Sequence, residues 1–192
     1  MTRSIETAPS ETSFDFAGDV VTVARRLLGC RVLTAFGGEL TEVMLTEVEA
    51  YQGDRDPASH AYRGMTARNR AMFGPAGTLY VYRSYGLHWC MNVVAAEIGV
   101  AHAVLLRAAV PTRGRAVMER RRGRPNHLCD GPGKLCQALG VTGAQDGTSL
   151  TDGAVRLVAG SLPEGTPVDQ TPRVGITRAT DLPWRFVARL TG

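Results

Sequence analysis

The sequence predicts a single α+β domain, and three observations favour that class. The chain of 192 residues has the length of one domain and is long enough to bury a sizeable core without a metal or disulfide. Its central part contains successive segments with the period-2 alternation of β-strands, joined by short glycine turns. Helical spacing is confined to a few short stretches, so strands and short helices should share one fold.

The first predicted elements are a short helix and a hairpin. Asp19 precedes the apolar stretch 20–28 and Gly29 follows it, which predicts a helix with an acidic N-cap and a glycine just beyond its end. Residues 30–51 then alternate between apolar and polar on both sides of Gly37-Gly38, a pair typical of a tight turn. We therefore expect an antiparallel hairpin here.

The remaining elements are predicted from the same signals. Further strands are expected at 78–85, 89–96, 102–110, 154–158, 173–177 and 185–190, and further helices at 113–122 and 132–139. The polar stretches 143–153 and 160–172, which contain glycine and proline, are predicted as loops. We expect residues 1–13 to be disordered and residues 14–192 to form the domain.

Composition excludes several classes of protein. Hydrophobic residues make up 44% of the chain and charged residues 21%, which excludes a disordered protein or a coiled coil. No apolar run approaches the roughly 18 residues of a membrane span, and the N-terminus lacks a secretory pattern. We therefore expect a cytoplasmic protein, associated with the nucleoid if bacterial. The cysteines and histidines show no metal-ligand spacing, which predicts buried thiols, no metal and no other cofactor.

Basic residues are concentrated in the middle of the chain. Residues 61–134 contain 12 Arg and Lys against 3 Asp and Glu, a net charge of +9, whereas residues 1–60 have a net charge of −5. This central third also contains most of the tyrosines. Arginines neutralise phosphates and aromatic faces stack on bases, so the segment has the composition of a nucleic-acid surface. A solvated basic face with aromatics in the core is the alternative.

Carboxylates form the first candidate site. In an extended strand, residues two apart point to the same side, so Glu47 and Glu49 share a face with Tyr51. If that face is buried, each charge needs a partner, and one carboxylate is then a candidate general base with an environment tuned by its neighbours. If the face is exposed, the segment is an ordinary polar strand surface.

Aromatic residues form the second candidate site. Tyr80 and Tyr82 share a strand face, and Tyr85 falls at a turn beside Gly86, where its side chain should be exposed. An exposed aromatic among arginines suits insertion into a base stack while the arginines hold the backbone. A single exposed surface tyrosine is the alternative. The arginines in question are Arg68, Arg70 and Arg83.

Together these segments resemble the alkyladenine DNA glycosylases, also called 3-methyladenine or methylpurine DNA glycosylases. The resemblance extends from about residue 24 to 141, and the segment RVGITRATDLPWRF is similar to the family's closing segment. The matching pieces, in the family's order, are TEVEAYQG, ASHAYRGMTARNRAMF, GTLYVYRSYGLHWCMN, VLLRA and GPGKLCQALGV.

The resemblance implies a curved, mainly antiparallel sheet with surrounding short helices and an exposed hairpin that inserts into the minor groove of DNA. It implies that Glu49 is the catalytic acid of the family, that Arg107 helps to hold the nucleophilic water, and that Tyr85 is the DNA-inserting wedge. The residues that match the pocket around the flipped base are Tyr51, His60, Tyr82 and Asn92. Candidates for contacts to the DNA backbone are Arg68, Arg70, Arg83 and Lys134.

The implied function is excision of alkylated purines, such as 3-methyladenine, from double-stranded DNA, with an abasic site as the product. A carboxylate stabilises the oxocarbenium-like sugar and deprotonates water, which suits Glu49. A glycosylase that also cuts the strand needs an amine, and Lys134 is the single lysine, placed where a phosphate contact or a capping role explains it. We therefore expect a monofunctional, monomeric enzyme without membrane partners.

Two other classes of protein stay open on the sequence. A DNA-binding module without catalysis would explain the basic third and the wedge equally well. A carbohydrate-acting glycosidase would use Glu47 and Glu49 as its pair, but neighbours on one strand face do not flank a bond from opposite sides. A formyltransferase-type domain is a more distant alternative and lacks a matching catalytic motif.

Overall fold

The computed structural model describes residues 13–190 and confirms the α+β class. One antiparallel sheet curls into a half-barrel, and three short helices pack around it in a single domain. The predicted disordered segment 1–13 lies outside the described residues except for Ser13. The helices are α1 (Val20–Leu27), α2 (Arg115–Arg122) and α3 (Pro132–Leu139). The strands are β1 (Arg31–Phe36), β2 (Glu39–Gln52), β3 (Leu79–Ser84), β4 (His88–Val94), β5 (His102–Arg113), β6 (Val155–Val158), β7 (Val168–Thr171) and β8 (Arg185–Ala188).

Strand β2 organises the sheet. It is 14 residues long and pairs with β5 along one edge. Along its other edge it pairs first with β1, up to Met44, and then with β8, from Glu47 onward. The register against β5 shifts between Leu45 and Val48, which marks a β-bulge where the partner changes. The strand order is β3-β4-β5-β2-β1-β6, with β7 outside β8.

Two hydrophobic cores lie on opposite faces of the sheet. The main core fills the face covered by the helices, where the apolar stripe of α1 is fully buried. A smaller cluster lies on the other face of β3, β4 and β5, because alternate residues of these strands point to the opposite side. Its members are Ala61, Met72, Tyr80, Val94, Ala101 and Ala103. This second core supports the face on which the candidate site lies.

Most predicted elements are confirmed. Helix α1 begins after Asp19, and the β1–β2 turn has both glycines in the left-handed region, with φ 59° and 79°, as a type I′ turn requires. The strands predicted around 78–110, 154–158 and 185–190 and both later helices are present within a few residues. All four cysteines are buried free thiols. No helix within residues 13–190 is long and apolar enough to cross a membrane.

One predicted strand is wrong, and one strand lies in a predicted loop. Residues 173–177 are irregular, because Arg173 turns inward to a buried partner and Gly175 has φ 77°, which breaks an extended chain. Strand β7 instead occupies 168–171, inside the stretch 160–172 that was predicted as a loop. Its sequence VDQT is mostly polar because β7 is an edge strand that pairs only with β8.

Asp19 should contribute measurably to stability. Its carboxylate accepts hydrogen bonds from the Thr22 N–H and Oγ1, each at 2.9 Å. We expect Asp19→Ala to lower the free energy of unfolding by about 1 kcal/mol, measured by denaturant titration, because a backbone donor of the first turn loses its acceptor. Asp19→Asn keeps an acceptor and should change stability by less than about 0.5 kcal/mol. Equal losses in the two variants would assign the effect to charge rather than to the cap.

Candidate active site

The site is built on a row of residues that runs across four strands. Glu49 of β2 lies opposite Leu105 of β5, Leu105 lies opposite Asn92 of β4, and Asn92 lies opposite Tyr80 of β3. Residues that are directly opposite in antiparallel strands share a face. The register therefore brings sequence positions far apart onto one surface, next to the second core.

Glu49 is fully buried at the end of this row. Its Oε1 accepts a hydrogen bond from the Val174 N–H at 2.8 Å. Its Oε2 accepts from the Tyr51 hydroxyl at 2.9 Å and from Nη1 of Arg107 at 3.3 Å. All three partners are donors, so the surroundings of Glu49 suit an anionic carboxylate. The alternative of an exposed polar strand face is therefore wrong for this residue.

Arg107 connects two carboxylates of β2, those of Glu47 and Glu49. Its Nε donates to Oε1 of Glu47 at 2.7 Å, and the same Glu47 oxygen accepts from Nε of Arg185 at 2.7 Å. Burial alone would lower the pKa of Arg107, but Glu49 and Glu47 raise it above its ordinary value. Because one guanidinium holds both carboxylates from the same side, Glu47 and Glu49 do not flank a bond as a glycosidase pair would.

A cleft of about 970 Å³ opens in front of this network. Tyr51, His60, Tyr82, Asn92 and Arg107 all line it, so the structure brings the predicted pocket residues together. Glu49 itself lies behind the lining, covered by Tyr51, Arg107 and Val174. The prediction that Tyr80 and Tyr82 share a strand face is confirmed, since their rings stack with centroids 5.6 Å apart.

Tyr51, His60, Tyr80 and Tyr82 line one side of the cleft, which we call the aromatic wall, and their side chains are uncharged. His60 meets the Tyr82 ring edge-on at 4.4 Å, and its Nδ1 lies 3.0 Å from the Tyr80 hydroxyl. One side of His60 stays open to the cleft, yet desolvation of the ring and then the positive charge of Arg68 lower its pKa. Burial raises the pKa of Tyr51 and Tyr82, and Glu49 adds to that rise, so both phenols keep their protons.

Tyr85 lies at the tip of the β3–β4 hairpin and is 91% exposed. It has φ 49° and Gly86 has φ 67°, and the Leu87 N–H donates to the Ser84 carbonyl at 2.9 Å. These values define a type I′ turn, whose first central position normally holds Asn, Asp or Gly. A bulky residue in this left-handed conformation is uncommon, and such strain is concentrated at functional sites. Leu87 beside it is also exposed.

Two groups of arginines in the basic third differ in their contacts. Those of α2 bind protein acceptors: Arg120 contacts Glu39, Arg121 donates to the Ala138 carbonyl and Arg122 contacts Gln137. The second group consists of the exposed residues Arg63, Arg68, Arg70 and Arg83. Arg63 and Arg68 line the cleft, and the Arg83 guanidinium lies over the Trp89 ring of the hairpin. Arg107 lines the cleft as well, but it is held by Glu47 and Glu49.

Lys134 lies outside the lining of the cleft. Its Nζ donates to Oδ1 of Asp130 at 2.9 Å, and Oδ2 of Asp130 contacts Nδ1 of His127 at 2.6 Å. The lysine is therefore part of a small exposed ion-pair cluster at the start of α3.

Several residues of the site have no assigned role in the sequence analysis. Val174 donates to Glu49, Arg173 and Asp56 form a buried ion pair behind Tyr51, and Tyr80 orients His60. For Val174 and Arg173, the only signal in the sequence was that both belong to the segment RVGITRATDLPWRF. Residues 174–178 of that segment line the cleft.

Known proteins match this chain over most of its length. Residues 14–191 match the sequence model of the methylpurine-DNA glycosylase family. A protein of Rhodopseudomonas palustris strain CGA009 is 50% identical over 93% of this chain and 84% of its own length. A protein of Methanoculleus marisnigri is 53% identical over 88% of this chain and 89% of its own length. Both are named "Putative 3-methyladenine DNA glycosylase".

The fold, the cleft and these matches define a DNA glycosylase, a repair enzyme that removes damaged bases from DNA. Within that class, the chain belongs to the methylpurine-DNA glycosylase family, whose members are hydrolytic N-glycosylases. The resemblance seen in the sequence is thereby confirmed over nearly the whole chain.

The lowered pKa of His60 in the aromatic wall can be tested directly. We expect the imidazole of His60, followed by NMR titration, to have a pKa below that of an exposed histidine, because desolvation and Arg68 both disfavour the imidazolium. Arg68→Gln should raise this pKa, since a positive charge is removed. Arg70→Gln removes a charge from the same loop and is the matched control, expected to leave the midpoint nearly unchanged. An equal rise in both variants would contradict the assignment to Arg68.

Proposed function

We propose that this enzyme removes alkylated purines, including 3-methyladenine, from double-stranded DNA by flipping the damaged nucleotide into the cleft and hydrolysing its N-glycosidic bond. The observation that carries the proposal is the fully buried Glu49 carboxylate, held by Tyr51, Arg107 and Val174 directly behind an aromatic cleft. An anion placed there stabilises the cationic sugar that forms as the bond breaks.

Glu49 also acts as the general base. The bond between C1′ and the purine nitrogen breaks with its electron pair going to the base, the water oxygen bonds to C1′, and one proton of the water passes to Glu49. Tyr51 and Arg107 both donate to Oε2 of Glu49. Arg107 also lines the cleft, so it holds the attacking water beside Oε2 while the Tyr51 hydroxyl stays on the carboxylate.

The uncharged wall favours a cationic base. Purines methylated at N3 or N7 carry a positive charge in DNA, and the electron-rich faces of Tyr51 and Tyr82 attract such a cation by roughly 0.5–2 kcal/mol. A protonated His60 would repel it, so the lowered pKa of His60 serves this substrate. The charged base leaves as a neutral molecule, which reduces the need for a leaving-group acid. Asn92 narrows the floor of the cleft.

The hairpin supplies the wedge. Tyr85 enters the base stack and fills the gap that the flipped nucleotide leaves, which lowers the cost of extrusion by replacing lost stacking. Arg68, Arg70 and Arg83 bind phosphates around it, and Lys134 contacts a phosphate further along the duplex. One cleft and one hairpin lie on the same chain, so a monomer is sufficient for the reaction.

Glu49→Gln should separate binding from chemistry. The amide keeps the shape of the side chain and removes the negative charge and the base, so we expect single-turnover excision of 3-methyladenine to fall by roughly 10² to 10⁴. Affinity for the lesion duplex should stay within a few-fold. The measurement is abasic-site formation on duplexes with one defined lesion each, beside a gel-shift titration.

Glu42→Gln is the matched control, because Glu42 lies on the same strand but outside the lining of the cleft, where it accepts hydrogen bonds from Arg31 and Thr112. It should excise at the wild-type rate. Excision by Glu49→Gln at the wild-type rate would overturn the assignment of Glu49. Tight binding by the wild-type protein without excision of any lesion would show a DNA-binding module instead.

The reaction should involve water and not an amine. Lys134 is engaged with Asp130 and lies outside the cleft lining, so no Schiff base is expected with the sugar. Borohydride added during turnover should give no covalent protein–DNA band, and the strand should break only after alkali. A band that disappears in Lys134→Arg would refute the water mechanism.

A further inference from the structure

An ion pair without solvent access lies directly behind the cleft. The side chains of Arg173 and Asp56 both have 0% exposure. Nη1 of Arg173 lies 2.5 Å from Oδ2 of Asp56, and Nη2 lies 2.9 Å from Oδ1, so the contact is bidentate. Arg173 belongs to the irregular segment 172–184, which we call the closing segment, and Asp56 follows strand β2.

The guanidinium of Arg173 binds the closing segment to the strand that contains Glu49. Nη1 also donates to the Ala50 carbonyl at 3.0 Å, one residue after Glu49, and Nη2 donates to the Ala179 carbonyl at 3.4 Å within the closing segment. The guanidinium carbon lies 4.6 Å from the centroid of the Tyr51 ring and 5.2 Å from that of Trp184. Four of its five N–H donors therefore have an acceptor, and its position is fixed on every side.

Two of the three donors to Glu49 depend on this position. The Val174 N–H belongs to the peptide unit that follows Arg173, and it donates to Oε1 of Glu49. The Tyr51 hydroxyl donates to Oε2, and the ring that presents it rests on the Arg173 guanidinium. Arg107, the third donor, comes from β5 and is independent of Arg173.

We propose that Arg173, with Asp56 as its partner, is a positioning residue for the reaction: it sets the Val174 N–H and the Tyr51 ring on the Glu49 carboxylate. This inference rests on the proposed role of Glu49. A buried ion pair is a poor way to gain stability, since a well-packed apolar pair often serves as well or better. A bidentate ion pair fixes the relative position of its two side chains, which an apolar pair does not. Small displacements of a reacting group lower the rate of the reaction substantially.

The test replaces the whole pair, because removal of one partner would leave a buried charge and unfold the protein. In the native protein the Ala58 N–H donates to Oδ1 of Asp56 at 3.0 Å. In Asp56→Asn/Arg173→Met, the asparagine oxygen can still accept this hydrogen bond, and no charge is left unpaired. We expect single-turnover excision of 3-methyladenine to fall by roughly 10²-fold, while affinity for the lesion duplex stays within about threefold. Arg173→Lys with native Asp56 keeps the charge but loses the bidentate contact, and should recover only part of the rate.

Two comparisons distinguish positioning from general destabilisation. Leu157→Ala removes buried surface from β6, far from Glu49 along the sheet, and should lower the melting temperature without changing the excision rate. Combined with Glu49→Gln, the double replacement should add little further loss, because it acts through that carboxylate.

The outcomes separate this inference from the proposed function. An unchanged rate in Asp56→Asn/Arg173→Met, or the same fold-loss in the Glu49→Gln background as in the native one, would overturn the role of Arg173 and leave that of Glu49 intact. A wild-type rate in Glu49→Gln would overturn both. A rate loss in Leu157→Ala equal to that of the pair would also overturn the positioning role.

Discussion

The buried carboxylate of Glu49 is the constraint on which the site depends. An ionised group that has no contact with water is stable only if donors replace its hydration. The donors here come from three parts of the chain: Tyr51 two residues away, Arg107 in β5 and Val174 in the closing segment. The long strand β2 makes this possible, because it pairs with β5 on one edge and β8 on the other.

The arrangement also explains why the cleft has two layers. Tyr51 and Arg107 line the cleft and form a front layer that covers Glu49, so its carboxylate is separated from bulk water. Behind Tyr51, the ion pair of Arg173 and Asp56 fixes the back layer. In the proposed mechanism, the two layers hold the Glu49 carboxylate in place before the substrate arrives, which is the preorganisation that electrostatic catalysis requires.

The sequence predicts local geometry well and long-range partners poorly. Strand parity was enough to place Tyr51 with Glu49 and Tyr80 with Tyr82, because side-chain direction alternates regardless of tertiary context. Parity alone does not tell whether Glu49 is buried, since its partners Arg107 and Val174 are 58 and 125 residues away. The alternating apolar residues Val174 and Ile176 favoured a strand at 173–177, but the inward turn of Arg173 overrides that local pattern. Assignment of roles at the hairpin depended on the family resemblance, because an exposed tyrosine has no single meaning.

The same distinction applies to charge. The net charge of +9 over residues 61–134 counts every arginine alike, but the structure uses them for two purposes. Arginines of α2 bind Glu39, Gln137 and the Ala138 carbonyl, and so tie the helix to its neighbours. Of these acceptors only Glu39 is charged, and it offsets part of the positive charge of the helix. The exposed arginines Arg68, Arg70 and Arg83 are the ones that we propose to bind phosphates near Tyr85. In the proposed mechanism, charge at the hairpin favours encounters in which Tyr85 already faces the duplex, so that binding and base extrusion begin at the same place.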